Sequence, residues 1–91
     1  MSERRSRYEI YWEILVFCKT PRTFTGIINR CDLNSKTGQE YIEFLNRKEY
    51  LSLVKDHEKS LYASTERAAE YIGLFGRLYQ NLFDEIPGFK L

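Results

Sequence analysis

Few side chains in this 91-residue chain can make or break bonds. One histidine, His57, stands in the polar run Asp56-His57-Glu58-Lys59-Ser60. It lacks the neighbouring Cys, His or carboxylate spacing of a metal site. Two cysteines, Cys18 and Cys31, are too few for a disulfide scaffold or a zinc site. There is no glycine-rich phosphate loop and no nucleophile motif. The expectation is therefore no enzyme, no metal and no cofactor. The side chains that stand out instead form hydrogen bonds and neutralise charge. Ser35, Lys36, Thr37, Gln39 and Glu40 gather two hydroxyls, an ammonium, an amide and a carboxylate in a short stretch. Arg4, Arg5 and Arg7 form the densest positive cluster, and Arg47, Lys55 and Lys59 add scattered cations. This is the chemistry of recognition.

Such side chains need elements to hold them. The length fits one small domain. With 43% hydrophobic and 15% aromatic residues, the chain folds rather than staying disordered. Ser6 and Glu9 have capping-box spacing, so a first helix is predicted from Arg7. Tyr8, Tyr11, Trp12, Leu15 and Cys18, with Ile10, Ile14 and Phe17 beside them, give it a wide buried face. Thr20-Pro21 ends it. Thr23 caps a short second helix over about 24–31, with Ile27, Ile28 and Cys31 inward. After the tight turn Asp32-Leu33-Asn34, Asn34 or Ser35 caps a third helix running to about Lys48. Gly38, Tyr41, Ile42 and Leu45 share one side of it; Lys36, Gln39, Glu40, Glu43 and Arg47 share the other. Tyr50 to Val54 reads as a strand, residues 56–60 as a polar turn, and Leu61-Tyr62-Ala63 as the returning strand. Thr65 caps a last helix of roughly twenty residues that Pro87-Gly88 stops.

The fold class this order predicts is α+β, mostly α. It is a winged helix-turn-helix with a three-helix core and a short β-hairpin wing, followed by a long C-terminal dimerisation helix. Residues 1–64 make the winged unit, with a basic N-terminal arm at 1–5. Residues 65–91 make the last helix, part of the same single domain. The details resemble one family, small archaeal winged-helix DNA-binding proteins whose C-terminal helix forms a dimeric coiled coil. The resemblance runs over nearly the whole chain. It rests on Arg5-Ser6-Arg7-Tyr8-Glu9-Ile10 with Glu13-Ile14-Leu15, and on Thr25-Gly26-Ile27-Ile28 through Asp32-Leu33-Asn34. Tyr41-Ile42-Glu43-Phe44-Leu45 resembles the recognition helix, and Tyr62-Ala63-Ser64-Thr65-Glu66-Arg67 resembles the junction of wing and last helix. Ala68 and Glu49 stand where the family usually has glycine.

The resemblance implies a cytoplasmic, homodimeric transcriptional regulator that binds double-stranded DNA. A reading helix enters the major groove with its N-terminal residues on base edges. Lys36 can reach guanine, Gln39 adenine, and Glu40 cytosine. Ser35 and Thr37 suit phosphate oxygens. Arg47 suits backbone phosphate or, alternatively, an intrahelical pair with Glu43. Lys55 and Lys59 on the wing, with Arg4 and Arg5 on the arm and Arg7 at the start of the first helix, complete the candidate DNA-binding set. Formal net charge is only +1, and it is uneven. Residues 1–36 carry seven basic and four acidic side chains, so the N-terminal part is the more phosphate-facing. The alternative is a winged-helix module that binds another protein and no DNA.

On the last helix Ala68, Ile72, Phe75, Tyr79, Leu82 and Ile86 follow a heptad-like spacing and are the expected dimer seam. Tyr71, Leu74 and Leu78 form an adjoining stripe suited to the chain's own core. Gly73 and Gly76 either permit close helix approach or mark a kink. Cys18 and Cys31 read as buried free thiols, with a disulfide as the alternative. The longest uncharged apolar stretch, Ile14 to Cys18, is far too short for a membrane span, and no signal-peptide pattern follows the first residues.

Overall fold

The computed structural model describes residues 6–83, with side chains throughout except at 79 and 81–83. The elements are α1 (Arg7–Phe17), α2 (Phe24–Arg30), α3 (Ser35–Arg47), β1 (Leu51–Asp56), β2 (Lys59–Ser64) and α4 (Glu66–Phe83). Each of the first three helices begins at a side-chain cap that satisfies otherwise orphaned amides. Ser6 and Glu9 form a reciprocal capping box: the Glu9 amide donates to Ser6 Oγ at 3.1 Å and the Ser6 amide to Glu9 Oε1 at 2.9 Å. Thr23 Oγ1 accepts from the Gly26 amide at 3.0 Å, and Asn34 Oδ1 from the Thr37 amide at 2.8 Å.

The ends of α2 and α3 share one geometry. After α2, the Leu33 amide donates to Ile28 O at 2.8 Å, and Asp32 takes φ 59°. After α3, the Tyr50 amide donates to Leu45 O at 2.9 Å, and Glu49 takes φ 67°. Both are Schellman endings, which place the residue after the cap in the left-handed region where glycine is favoured. Glu49 holds that place without being glycine.

The hairpin is longer than its apolar run indicates. Its register runs from Leu51↔Ser64 to Asp56↔Lys59, leaving only His57 and Glu58 in the turn. Asp56, Lys59 and Ser60, three of the five residues expected in the polar turn, are strand residues, because this part of the ribbon is exposed on both faces and needs no apolar alternation. His57, at φ 61°, reverses the chain. An isolated bridge between Arg22 and Tyr62 ties the α1–α2 loop to the hairpin.

Helix α1 is the centre of the molecule. Ile14, Leu15, Cys18, Ile27, Cys31, Ile42, Leu45, Leu51 and Ala68 are almost wholly shielded from water. The helix-turn-helix pair α2–α3 closes tightly at Gly38, where a Cβ would overlap Ile28 Cγ2. Both cysteines are buried, and they form no disulfide. Burial, and secondarily Cys31, pushes the Cys18 thiol up to about 12.

Helix α4 reverses the roles expected of its two apolar stripes. Ala68 is fully buried in the chain's own core. The Ile72 carbonyl accepts the Trp12 indole N–H at 3.2 Å, and the Phe75 ring lies 5.8 Å from that of Trp12. The first half of the seam expected for a partner thus packs on α1. Of the stripe expected to face inward, Tyr71 does so, stacking on Tyr50 and donating to Tyr8 O at 2.6 Å. Leu74 and Leu78 are 52% and 55% exposed. The reason is that Trp12 and Tyr8 on α1 supply the partners that decide which face turns in. Gly76 lies under the Trp12 ring, whereas Gly73 faces open space. The side chains of Tyr79 and Leu82, and Ile86 and Pro87-Gly88 altogether, fall outside the described residues.

Candidate nucleic-acid interface

The Asn34 cap sets the first turn of α3 at the surface. Ser35, Lys36, Gln39 and Glu40 are exposed, and Thr37 is half-buried. The opposite face is anchored by Gly38, Ile42 and Leu45, so the outward set is fixed by how α3 packs. Gln39 is not idle: its Nε2 donates to Glu43 Oε2 at 3.2 Å, which ties the amide to its neighbour on the same face. Arg47 does not pair with Glu43. Its guanidinium lies 5.9 Å from the Phe44 ring centre, and Lys48 Nζ lies 5.7 Å from the same ring. Sequence reasoning passed over Lys48, although its spacing of four from Phe44 is a signal for such a contact.

Arg7, at the start of α1, reaches the same side of the molecule. Its guanidinium lies near Tyr11, whose ring lies 5.1 Å from Phe44 and 5.3 Å from Tyr41. Burial raises the Tyr11 phenol, and Arg7 opposes that rise. Arg7, Arg47 and Lys48 therefore ring one aromatic cluster. Arg4 and Arg5 lie outside the described residues.

The hairpin carries Lys55 and Lys59 on exposed strand positions, with Lys59 directly opposite Asp56. His57 Nε2 is 3.7 Å from Asp56 Oδ1 at the open tip. A cleft of about 270 Å³ separates α3 from the hairpin, lined by Phe24, Gln39, Ile42, Glu43 and Tyr62. Helix α3 and the hairpin thus share this cleft, α3 through Gln39, Ile42 and Glu43 and the hairpin through Tyr62. Across the outer face of α3, Lys36 and Arg47 are balanced by Glu40 and Glu43, so this face is polar and charge-neutral. Among the described residues, no group of three or more His, Cys, Asp or Glu could hold a metal ion, and no helix is long and apolar enough to cross a membrane.

The winged helix-turn-helix family model matches residues 4–82. Among solved structures, the DNA-binding protein Sso10a-2 of Sulfolobus solfataricus is 24% identical with a TM-score of 0.73, covering 89% of this chain and 88% of that one. The transcriptional regulator BldR of the same organism is 14% identical with a TM-score of 0.70; 88% of this chain is covered, but only 63% of BldR. The homodimeric winged helix-turn-helix DNA-binding domain of Mb0332 from Mycobacterium bovis is 13% identical with a TM-score of 0.69, covering 90% and 78% of the two chains. No curated protein sequence matches. At these identities the structural likeness is one of fold.

Proposed function

Since the chain belongs to the winged helix-turn-helix family, we propose that it is a homodimeric DNA-binding transcriptional regulator that reads the major groove with α3. The observation that carries this reading is the exposed first turn of α3 beyond the Asn34 cap, with the wing beside it across a shared cleft. Lys36 donates to guanine O6 and N7, Glu40 accepts from cytosine N4, and Gln39 takes adenine once Glu43 is released. Ser35 and Thr37 bind phosphate, helped by the positive end of the helix. Lys55 and Lys59 from the wing, Arg47 from α3, Arg4 and Arg5 from the arm and Arg7 from the start of α1 hold the sugar-phosphate backbone.

Dimerisation proceeds through the outer part of α4. Leu74 and Leu78, one helical turn apart and more than half exposed, call for a cover. In sequence they are followed by the distal seam positions Tyr79, Leu82 and Ile86, where the heptad-like spacing continues. Ala68, Ile72 and Phe75 support this interface from beneath by fixing α4 on α1.

The test is a titration of duplexes from the protein's own locus at several salt concentrations. Retardation should weaken as salt rises, because the cations that meet phosphate release counterions. Lys36→Ala should reduce affinity by about 1–3 kcal/mol and relax the preference for guanine. Glu40→Gln with Glu43→Gln should strengthen non-specific binding by removing repulsion near phosphate. Replacing Leu74 and Leu78 with Glu should give a folded monomer in light scattering. No retardation of any duplex at low salt sinks the reading. A second reading, a protein-binding module, draws on the charge-neutral face of α3 and on Leu53 and Val54, exposed on the wing at 50% and 37%. It gains if duplex binding is absent.

A further inference from the structure

A second concavity lies away from α3 and the wing. It is a cleft of about 620 Å³ between the C-terminal half of α1, the α1–α2 loop and the end of α2. That volume falls within the range of small-molecule sites. Trp12, Val16 and Phe17 give it apolar walls, and Arg22, Arg30 and Lys19 give it cations. The guanidiniums of Arg22 and Arg30 stand 4.2 and 5.8 Å from the centre of the Phe17 ring. Arg22 is held in place, with its Nε donating to Phe17 O at 3.1 Å, which leaves its terminal N–H groups for another partner. Among the described residues no ion pair engages Arg22, Arg30 or Lys19. One carboxylate, Glu13, stands on the α1 wall and has a partner of its own. Two guanidiniums beside flat apolar walls suit an anion with a planar body: the forks match a carboxylate, and the rings match an aromatic face.

We propose that this cleft binds a small planar aromatic carboxylate, its carboxylate held by Arg22 and Arg30 and its ring laid along Trp12 and Val16. The site is independent of the DNA reading, because none of its residues belongs to α3 or the wing. It lies one side chain from α4, since Trp12 bonds to Ile72 O and packs against Phe75.

Trp12 is the only tryptophan in the chain, so its emission reports occupancy directly. The probes are benzoate, its neutral analogue benzamide, and inorganic sulfate, each titrated into the full chain without DNA. Benzoate should give a saturable change in emission; benzamide should give none, and sulfate should compete only weakly. Arg30→Gln, an exposed change with an unaltered melting temperature, should weaken benzoate by about tenfold or more, the usual loss with a charge-assisted hydrogen bond. Equal response to benzamide removes the carboxylate from the proposal. Equal competition by sulfate makes this an anion site with no role for the ring, which overturns it. Absence of a saturable benzoate response, or wild-type affinity in Arg30→Gln, overturns it outright.

Discussion

Helices α1 and α3 have similar lengths, 11 and 13 residues, and touch through Tyr11, Tyr41 and Phe44, yet they are built on opposite plans. Helix α1 is apolar nearly all round. Ile10, Ile14 and Leu15 fill the core, while Trp12 and Phe17 on its flanks meet α4 and the Arg22–Arg30 pair. Helix α3 buries one narrow face and leaves the rest polar. A helix hydrophobic on every side belongs inside a protein, and one with a single apolar stripe belongs at its surface. The difference teaches that the scaffold and the recognition surface are separable here. Changes on α1 should cost folding, and changes on the outer face of α3 should cost binding alone.

The sharpest break of that contrast would be a cavity in α1. Ile14→Ala should destabilise the fold by about 2–5 kcal/mol in urea denaturation. Glu40→Ala on α3 should stay within about 0.5 kcal/mol of wild type. If the two changes cost the same, the division between scaffold and surface fails.

Alkaline pH tests the same division through titration. Burial pushes the Cys18 thiol at the end of α1, and the Tyr71 phenol on α4, up to about 12. Their folded values lie above the unfolded ones, so the folded state holds these protons more tightly. That stability is complete below about pH 9 and is lost as pH rises towards 12. The urea midpoint should therefore fall across that window. Cys18→Ala should flatten the fall; an unchanged pH profile in that variant would remove the thiol from the account.

Gly38→Val probes the one place where α3 itself is scaffold. The added side chain meets Ile28 across the α2–α3 contact, and the expected loss is about 1–3 kcal/mol by thermal denaturation. The smallest effect should come from Glu49→Gly. Relief of a left-handed backbone should stabilise by about 0.5–1 kcal/mol, since the exposed Arg67–Glu49 pair at 3.8 Å contributes little. A destabilised Glu49→Gly would show that the pair outweighs the backbone.

Helix starts were legible because a cap is a local event: Ser6 with Glu9, Thr23 and Asn34 each announce themselves within four residues. The outward set Ser35, Lys36, Gln39, Glu40 and Arg47 was legible because a single stripe fixes the rotation of α3. The facing of α4 was not. Its two stripes are similarly apolar, and the choice between them is made by Trp12, 60 positions away in sequence. The wing's length was hidden for another reason: strand residues exposed on both sides carry no alternation to read. The meeting of Arg22 and Arg30 on Phe17 depends on how α1 and α2 cross, which no local pattern records.

The bridge between Arg22 and Tyr62 has a consequence for how this chain can vary. Two backbone hydrogen bonds, Arg22 N–H to Tyr62 O at 2.9 Å and Tyr62 N–H to Arg22 O at 2.7 Å, clamp the hairpin to the α1–α2 loop. With the Ser64 amide bonded to Cys18 O at 2.9 Å, they fix the number of residues that can run between the end of α1 and the bridge. Insertions there would break the clamp, whereas insertions at His57–Glu58 would only lengthen a free tip. The hairpin is therefore an exchangeable extension mounted on a frame of fixed length, and foreign sequence grafted at its end should leave the amides at its base the slowest of the ribbon to exchange with deuterium.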